Sequence, residues 1–335
     1  KTILLAMLVS PALCANTQPQ GGILTVRLLN GTNDNPGAAE KVTLLRLGTE
    51  MQPIQELADV SGKFEMTNIV VEGERPLLLQ VTSGGVNYNE PVRFGRGYEA
   101  EVEVTVFDTS TNWEHESISI TTSRFLYRRE NESLLVDKVF VVDNRISPPR
   151  TYYHPEGTFR FNLPSDKLQE LHSISASGAL GVPVPQQASP LPDGSGFITK
   201  TAFKPGETQI SISYEVNYEN ANYEARGIAF YPLQELLVFI APPDIATDAP
   251  GWEKLGIEPE GRFSALRMNA VEPGTPFSFT LSGGSRIAEP LISSSENSSG
   301  QNPSSDTTVT RITDNTRASK WVIVALMATA LGYGL

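Results

Sequence analysis

Cysteine is almost absent from the sequence, and this absence excludes several kinds of chemistry. The single cysteine, Cys14, lies in the apolar run at the N-terminus. The rest of the chain therefore has no disulfide, no thiolate nucleophile and no cysteine ligand for a metal ion. A secreted chain with room for two domains but without disulfides suits a bacterial envelope better than an animal cell surface.

Basic residues are in the minority as well. Lysine and arginine total 26 against 38 aspartate and glutamate residues, which gives a formal net charge of -12 at pH 7. This charge would repel nucleic acid and an anionic membrane surface alike. The composition therefore argues against nucleic acid as a partner.

Histidine is rare, and no catalytic signature accompanies it. The three histidines, His115, His154 and His172, show no spacing typical of metal ligands. Glu114 and Glu116 flank His115, but neighbouring residues of a strand point to opposite faces. The sequence has no Gly-x-Ser-x-Gly elbow, phosphate-binding loop or dinucleotide fingerprint. We expect no catalytic residue, no metal and no cofactor; a metal site assembled from separate loops is the alternative.

Both ends of the chain are apolar. Residues 1–15 contain one basic residue, an apolar core and small residues at the end, as a secretory signal peptide does. Residues 321–335 carry no charge and predict a transmembrane helix, with Lys320 and Trp321 as anchors at the membrane interface. At ~1.5 Å per residue this run spans about 22 Å, less than the ~30 Å hydrocarbon core. We therefore expect an incomplete span; a buried core helix and a removable lipid-anchor tail are the alternatives.

Residues 285–320 are rich in serine, threonine and asparagine and almost lack large apolar side chains. Such a segment buries too little apolar surface to offset its conformational entropy, which predicts a disordered linker. A signal peptide before the domains and a membrane helix after them would place the domains outside the cytoplasm. We expect a membrane-anchored protein whose domains lie in the bacterial periplasm or at the cell surface.

Short apolar runs separated by turn residues fill residues 20–108. Residues 23–29 precede a dense turn signal, residues 41–47 follow it, and residues 100–106 alternate between polar and apolar. A turn is expected at Ser61-Gly62. Short strands at this spacing, without an amphipathic helix, predict an all-β sandwich.

The order of these segments resembles that of the carboxypeptidase regulatory-like domain, a transthyretin-like β-sandwich. The resemblance rests on Pro36-Gly-Ala38 and on Ala58-Asp-Val-Ser-Gly-Lys-Phe64, which is similar to the family pattern Thr-Asp-x-x-Gly-x-Phe. The Gly-x-Tyr that usually precedes the next strand is absent, and Glu72-Gly-Glu-Arg-Pro76 stands there instead. The resemblance covers about the first third of the chain and implies a non-catalytic accessory domain.

Residues 113–284 predict a second and larger β-sandwich domain, Ig-like or transthyretin-like. Its clearest strand follows a turn at Pro205-Gly206, where apolar residues occupy every second position from Ile210 to Tyr218. Residues 223–230 are expected to be the hairpin partner of this strand. Residues 134–143 are typical of a strand buried on both faces. The layout of this part resembles uncharacterised bacterial envelope proteins that pair such domains with a C-terminal helix.

Aromatic residues are the candidates for ligand contact, because several fall at expected strand ends or in loops: Trp113, Tyr152, Tyr153, Tyr223 and Trp252. Exposed rings of sandwich domains can serve as flat stacking platforms for sugars and peptides. The alternative is that most of these rings plug the open ends of the domains.

The sequence as a whole predicts a membrane-anchored interaction protein whose β-sandwich domains contact a protein, peptide or glycan outside the membrane. Two alternatives stay open: a structural accessory subunit of a larger envelope assembly, and a hydrolase of glycan or peptide. A glycoside hydrolase needs two carboxylates about 5–10 Å apart, and any acidic chain supplies candidates for such a pair.

Overall fold

The computed structural model describes residues 21–48, 51–71, 77–113, 117–164, 171–178 and 183–285, and these residues form strands and turns without a helix. The predicted all-β class is confirmed for them. None of the residues that the structure describes forms a helix with the length and apolar character of a membrane span. The predicted signal peptide, the transmembrane helix with Lys320 and Trp321, and the linker apart from Ser285 lie outside the described residues.

The N-terminal part consists of strands β1–β7 around one hydrophobic core. The strands are β1 (Gly22–Asn30), β2 (Ala38–Arg46), β3 (Gln52–Ser61), β4 (Lys63–Ile69), β5 (Leu77–Ser83), β6 (Val86–Val92) and β7 (Glu99–Val106). They form a three-stranded sheet in the order β4-β1-β7 and a four-stranded sheet in the order β3-β2-β5-β6. Alternate residues of the strands meet in the core, among them Leu24, Val26, Leu44, Leu79 and Val81.

The chain passes from the four-stranded to the three-stranded sheet at Gly62. Because β3 ends at Ser61 and β4 begins at Lys63, the predicted turn at Ser61-Gly62 is confirmed. Gly62 has a φ of 62°, in the left-handed region that glycine enters without steric cost. Its N–H donates to the carbonyl oxygen of Gly37 at 2.9 Å, and its carbonyl accepts from Leu28 N–H at 2.8 Å. These bonds hold the crossover against β1.

The remaining described strands form the second part of the chain. They are β8 (Thr109–Ser110), β9 (Ile118–Glu130), β10 (Ser133–Asn144), β11 (Thr151–Tyr152), β12 (Phe159–Phe161), β13 (Leu171–Ser177), β14 (Val184–Pro185), β15 (Ala188–Pro190), β16 (Phe197–Thr199), β17 (Gly206–Asn217), β18 (Asn222–Ile228), β19 (Leu233–Ala241), β20 (Ile245–Asp248), β21 (Glu253–Ile257), β22 (Ser264–Val271) and β23 (Pro276–Gly283). An eight-stranded sheet has the order β14-β13-β17-β10-β9-β19-β22-β21, and smaller sheets have the orders β18-β23-β20, β12-β16-β15 and β11-β8.

A second core lies between the eight-stranded sheet and these smaller sheets. The predicted alternation of β17 is confirmed: one face is buried in this core, through Ile210, Ile212, Tyr214 and Val216, and the pattern continues to Tyr218. Across the core, Tyr127 of β9 meets Phe279 of β23 edge to face, with 5.4 Å between ring centroids. Apolar faces of two sheets thus cover one another.

The expected hairpin between β17 and residues 223–230 was wrong. β17 pairs with β10 along one edge and with β13 along the other, so neither edge is open to β18. β18 pairs instead with β23 in the smaller sheet. The chain leaves β17 through a tight turn in which Ala221 N–H donates to the carbonyl oxygen of Tyr218 at 2.9 Å. Because both edges of β17 are already paired, the short connection after it leads into the smaller sheet instead of forming a hairpin.

One pair of short strands and two side-chain contacts connect the two hydrophobic cores. β8 pairs in parallel with β11, which brings the segment after β7 against the second part of the chain. The hydroxyl of Tyr88 lies 2.9 Å from Thr151 Oγ1, and this contact is buried. Lys204 Nζ stands 4.5 Å from the centroid of the Tyr88 ring. Backbone and side-chain contacts both fix the passage from one core to the next.

Candidate functional site

Two of the five aromatic candidates are buried. Tyr152 is 7 % and Trp252 8 % exposed. The Trp252 indole N–H donates to the carbonyl oxygen of Ser278 at 3.1 Å, and its ring meets Phe279 edge to face at 5.3 Å. These contacts leave neither ring a free face on which a sugar or a peptide could stack.

The other three candidates are half-buried and fall in different places. Trp113 packs on the second core with its ring centroid 4.7 Å from that of Tyr231. Tyr223 lies 6.3 Å from Tyr127 over the same core, whereas Tyr153 packs against the first core. The structure therefore brings Trp113 and Tyr152 together, at 5.3 Å, but does not assemble the five rings into one platform. Their contacts are those of rings that close a core.

The histidines and acidic residues form no metal centre in the described part of the chain. His172 Nε2 lies 3.5 Å from Glu215 Oε2 on the surface, and His154 Nδ1 accepts a hydrogen bond from Glu156 N–H at 3.2 Å. His115 lies outside the described residues. No cluster of three or more potential metal ligands occurs among the residues that are described.

Lys138 is an unusual buried cation. It is 4 % exposed and points into the second core, where Nζ donates to the carbonyl oxygen of Asn162 at 2.9 Å. Its ammonium lies 4.9 Å from the ring centroid of Phe125 and 5.2 Å from that of Tyr214. Burial lowers the pKa of Lys138 to about 7. Sequence periodicity missed this residue because it occupies a core position in β10.

A small cavity adjoins Lys138. It is lined mainly by apolar side chains, among them Phe125, Phe140, Phe161, Leu236 and Phe277. Its volume is about 20 Å³, which is room for about one water molecule. A sugar or a peptide side chain does not fit. The enclosed amine therefore belongs to the architecture of the core rather than to a substrate site.

The other face of the eight-stranded sheet is the stronger candidate. Its three central strands carry six apolar side chains larger than alanine that belong to neither core: Leu126, Leu135, Val139, Val141, Leu237 and Phe239. We call this set the outer apolar face. Strand register places Leu126 of β9 directly opposite another member, Phe239 of β19, whereas its neighbour on β10 is the charged Asp137. Leu126 is buried and the others are half-buried.

This face corrects one sequence prediction. The segment 134–143 was expected to be buried on both faces, and its residues are indeed buried or half-buried throughout. Only one face, through Val136 and Phe140, enters the second core. The other face, through Val139 and Val141, lies on the outer side of the sheet. Solvent-side positions of an antiparallel sheet are usually polar, so an apolar pattern there needs another explanation.

Charged side chains border and interrupt the outer apolar face. Arg128 pairs with Glu130 at 2.9 Å. Burial raises the pKa of Asp137, although a hydrogen bond with Ser213 and the positive charge of Arg128 act in the opposite direction. Arg124 occupies the middle of β9, and its Nε is buried without a hydrogen-bond acceptor among the described residues. The face therefore combines apolar surface with one cation, Arg124, that has no ion-pair partner among the described residues.

Comparisons with known proteins assign no family. No family model matches the chain, and no curated protein matches it. The resemblance of residues 20–108 to the carboxypeptidase regulatory-like domain therefore rests on the motif and the order of segments alone.

Proposed function

We propose that this protein is a membrane-tethered, extracytoplasmic interaction protein that binds its partner through the outer apolar face. The observation that carries the proposal is the set of six apolar side chains on three adjacent strands, opposite the core. A cluster of apolar side chains on the outer side of a domain marks an interaction site, since leaving apolar surface in water costs free energy. The partner classes that the sequence predicts are a protein, a peptide or a glycan.

The finer architecture belongs to the same proposal. Two tandem β-sandwich domains would comprise residues 20–108 and 113–284. Support comes from the two separate cores and from the sheet orders around each of them. Support for a carboxypeptidase regulatory-like first domain comes from Gly62, since the family-like motif lies at the crossover between its sheets.

The membrane tether and the extracytoplasmic location are supported by the apolar segments at residues 1–15 and 321–335. The shortage of cysteine permits a direct test. In a Cys14→Ser background, Asn222→Cys places one thiol at an exposed position of β18. A membrane-impermeant maleimide should label this thiol in spheroplasts. Labelling that requires lysis of the inner membrane would contradict the topology.

Site-specific photo-crosslinking tests the interaction face. We would replace Val139 by p-benzoylphenylalanine in the full chain in its native membrane, with the same replacement at Asn222 as the control. Asn222 is exposed on the opposing sheet. The proposal predicts a specific cross-linked product from position 139 and none of that mobility from position 222. Equal products from both positions, or none from either, would remove the outer apolar face as the site.

A further inference from the structure

The charge and position of Arg124 indicate which kind of partner the outer apolar face binds; this inference rests on the proposed function. It faces Val139 on one neighbouring strand and Leu237 on the other. An arginine keeps its charge at every pH that proteins experience, and its guanidinium is a planar fork of N–H donors. The side chain as a whole is half-buried, but its Nε is buried without an acceptor among the described residues, and a buried donor in that state is costly unless a partner supplies an acceptor.

The neighbouring cations of this sheet are already satisfied. Arg267 lies in the same cross-strand row, beyond Leu237, and forms two hydrogen bonds to Glu253 at 3.0 and 3.1 Å. Arg128 has Glu130. Among the described residues no carboxylate lies within ion-pair distance of Arg124. The missing group is therefore one anion at one defined place, which a carboxylate matches in geometry as well as in charge.

The surroundings of Arg124 restrict the carrier of that anion. The four apolar side chains nearest to Arg124 in the strand register, Leu126, Val139, Leu237 and Phe239, carry no hydrogen-bond donor or acceptor, so the hydroxyl groups of a glycan placed over them would lose water without replacement. An anionic lipid surface would meet a chain of net charge -12. A ligand with apolar side chains on either side of a carboxylate would cover the apolar strands and also pair with Arg124. A protein segment can have this composition.

We infer that the outer apolar face binds a protein segment that places an aspartate or glutamate carboxylate on the guanidinium of Arg124 and apolar side chains on the strands around it.

The test uses the full chain in its membrane with the photo-reactive residue at position 139. The cross-linked segment of the partner should contain an aspartate or glutamate flanked by apolar residues. Arg124→Gln should reduce the cross-linked product about tenfold, since removal of one member of a desolvated charge pair has a large effect on binding. The matched control is Arg267→Gln, which removes a cation of the same sheet that already has a partner and should leave the product unchanged.

Reversal of the charges makes the test specific. Arg124→Glu should abolish the product, and replacement of the partner's acidic residue by arginine should restore it. Thermal unfolding should show that Arg124→Gln is folded, because the side chain it removes has no polar partner among the described residues.

The failures are distinguishable. A product that survives Arg124→Gln but is lost in Phe239→Ser would overturn the carboxylate inference and leave the proposed function standing. A product with lipid or glycan, or with a segment that has no acidic residue, would also overturn the inference. The absence of any product from position 139 would overturn both.

Discussion

Replacement of Lys138 by methionine should stabilise the protein, and the size of the effect follows from the buried amine. Burial lowers the pKa of Lys138 from 10.5 to about 7. Since one pKa unit corresponds to ~1.4 kcal/mol, the amine costs about 4 kcal/mol of stability at pH 7 relative to alkaline pH. The bond to Asn162 and the contacts with Phe125 and Tyr214 are lost with the amine. We therefore expect Lys138→Met to raise the free energy of unfolding at pH 7 by about 1–4 kcal/mol.

The stability of the protein should also depend on pH through Lys138. Because the pKa of Lys138 is lower in the folded protein, the unfolded chain binds more protons between pH 7 and pH 10.5. The contribution of Lys138 to stability is therefore fully present above pH 10.5 and is lost as the pH falls towards 7. Between pH 7 and pH 9 the stability of the native sequence should rise by about 2 kcal/mol through this residue alone.

Urea unfolding at pH 7, 8 and 9, followed by tryptophan fluorescence, measures both effects. Trp113 and Trp252 pack in or against the second core and report its unfolding. Lys200→Met, at an exposed lysine, is the control and should leave the midpoint and its pH dependence unchanged. If Lys138→Met destabilises the protein at pH 7 and retains the native pH dependence, then the buried amine is charged and fully compensated, and our reasoning is wrong.

Three further substitutions test the contacts that hold the described chain together. Arg129 is 5 % exposed and donates to the carbonyl oxygens of Gly283 and Gly284, so Arg129→Leu should lower the free energy of unfolding by about 2–4 kcal/mol; a denaturation midpoint equal to that of the native protein would contradict the role of this side chain. Tyr88→Phe removes a hydroxyl that lies 2.9 Å from Thr151 Oγ1 and also bonds with the backbone of Phe107, and it should cost about 1–2 kcal/mol in thermal unfolding. Thr151→Val should cost less, and the double variant little more than Tyr88→Phe alone.

The strands that were predictable are those whose alternation is regular. In β17 the apolar residues keep every second position without interruption, and the structure buries all of them. β9 has thirteen residues and went unrecognised, although it lies at the centre of the eight-stranded sheet. A register shift opposite Val141 and Val142 breaks its alternation, and its serine, threonine and arginine residues dilute the apolar signal. Local periodicity cannot show a strand whose pattern changes phase.

Pairing was less predictable than the strands themselves. The sequence between β17 and β18 favours a hairpin by its length and its asparagines, and only the occupied edges of β17 prevent one. The candidate site shows the same limit. Apolar residues stand at both odd and even positions of 134–143, but burial in a second core and an apolar outer face of the sheet produce the same sequence pattern. Arg124 could not be placed at all without the position of β9.

The first and the last strand of the described chain each lie in the middle of a sheet, and this position has a mechanical consequence. β1 is the central strand of its three-stranded sheet and β23 is the central strand of another. Tension between the two ends of the described chain would load both strands along their axes, so the hydrogen bonds on both edges would have to break together rather than one by one. Arg129 of β9 donates hydrogen bonds to the carbonyl groups of Gly283 and Gly284, at the end of β23. A load applied at the β9 surface would therefore reach the end of β23 directly through this side chain.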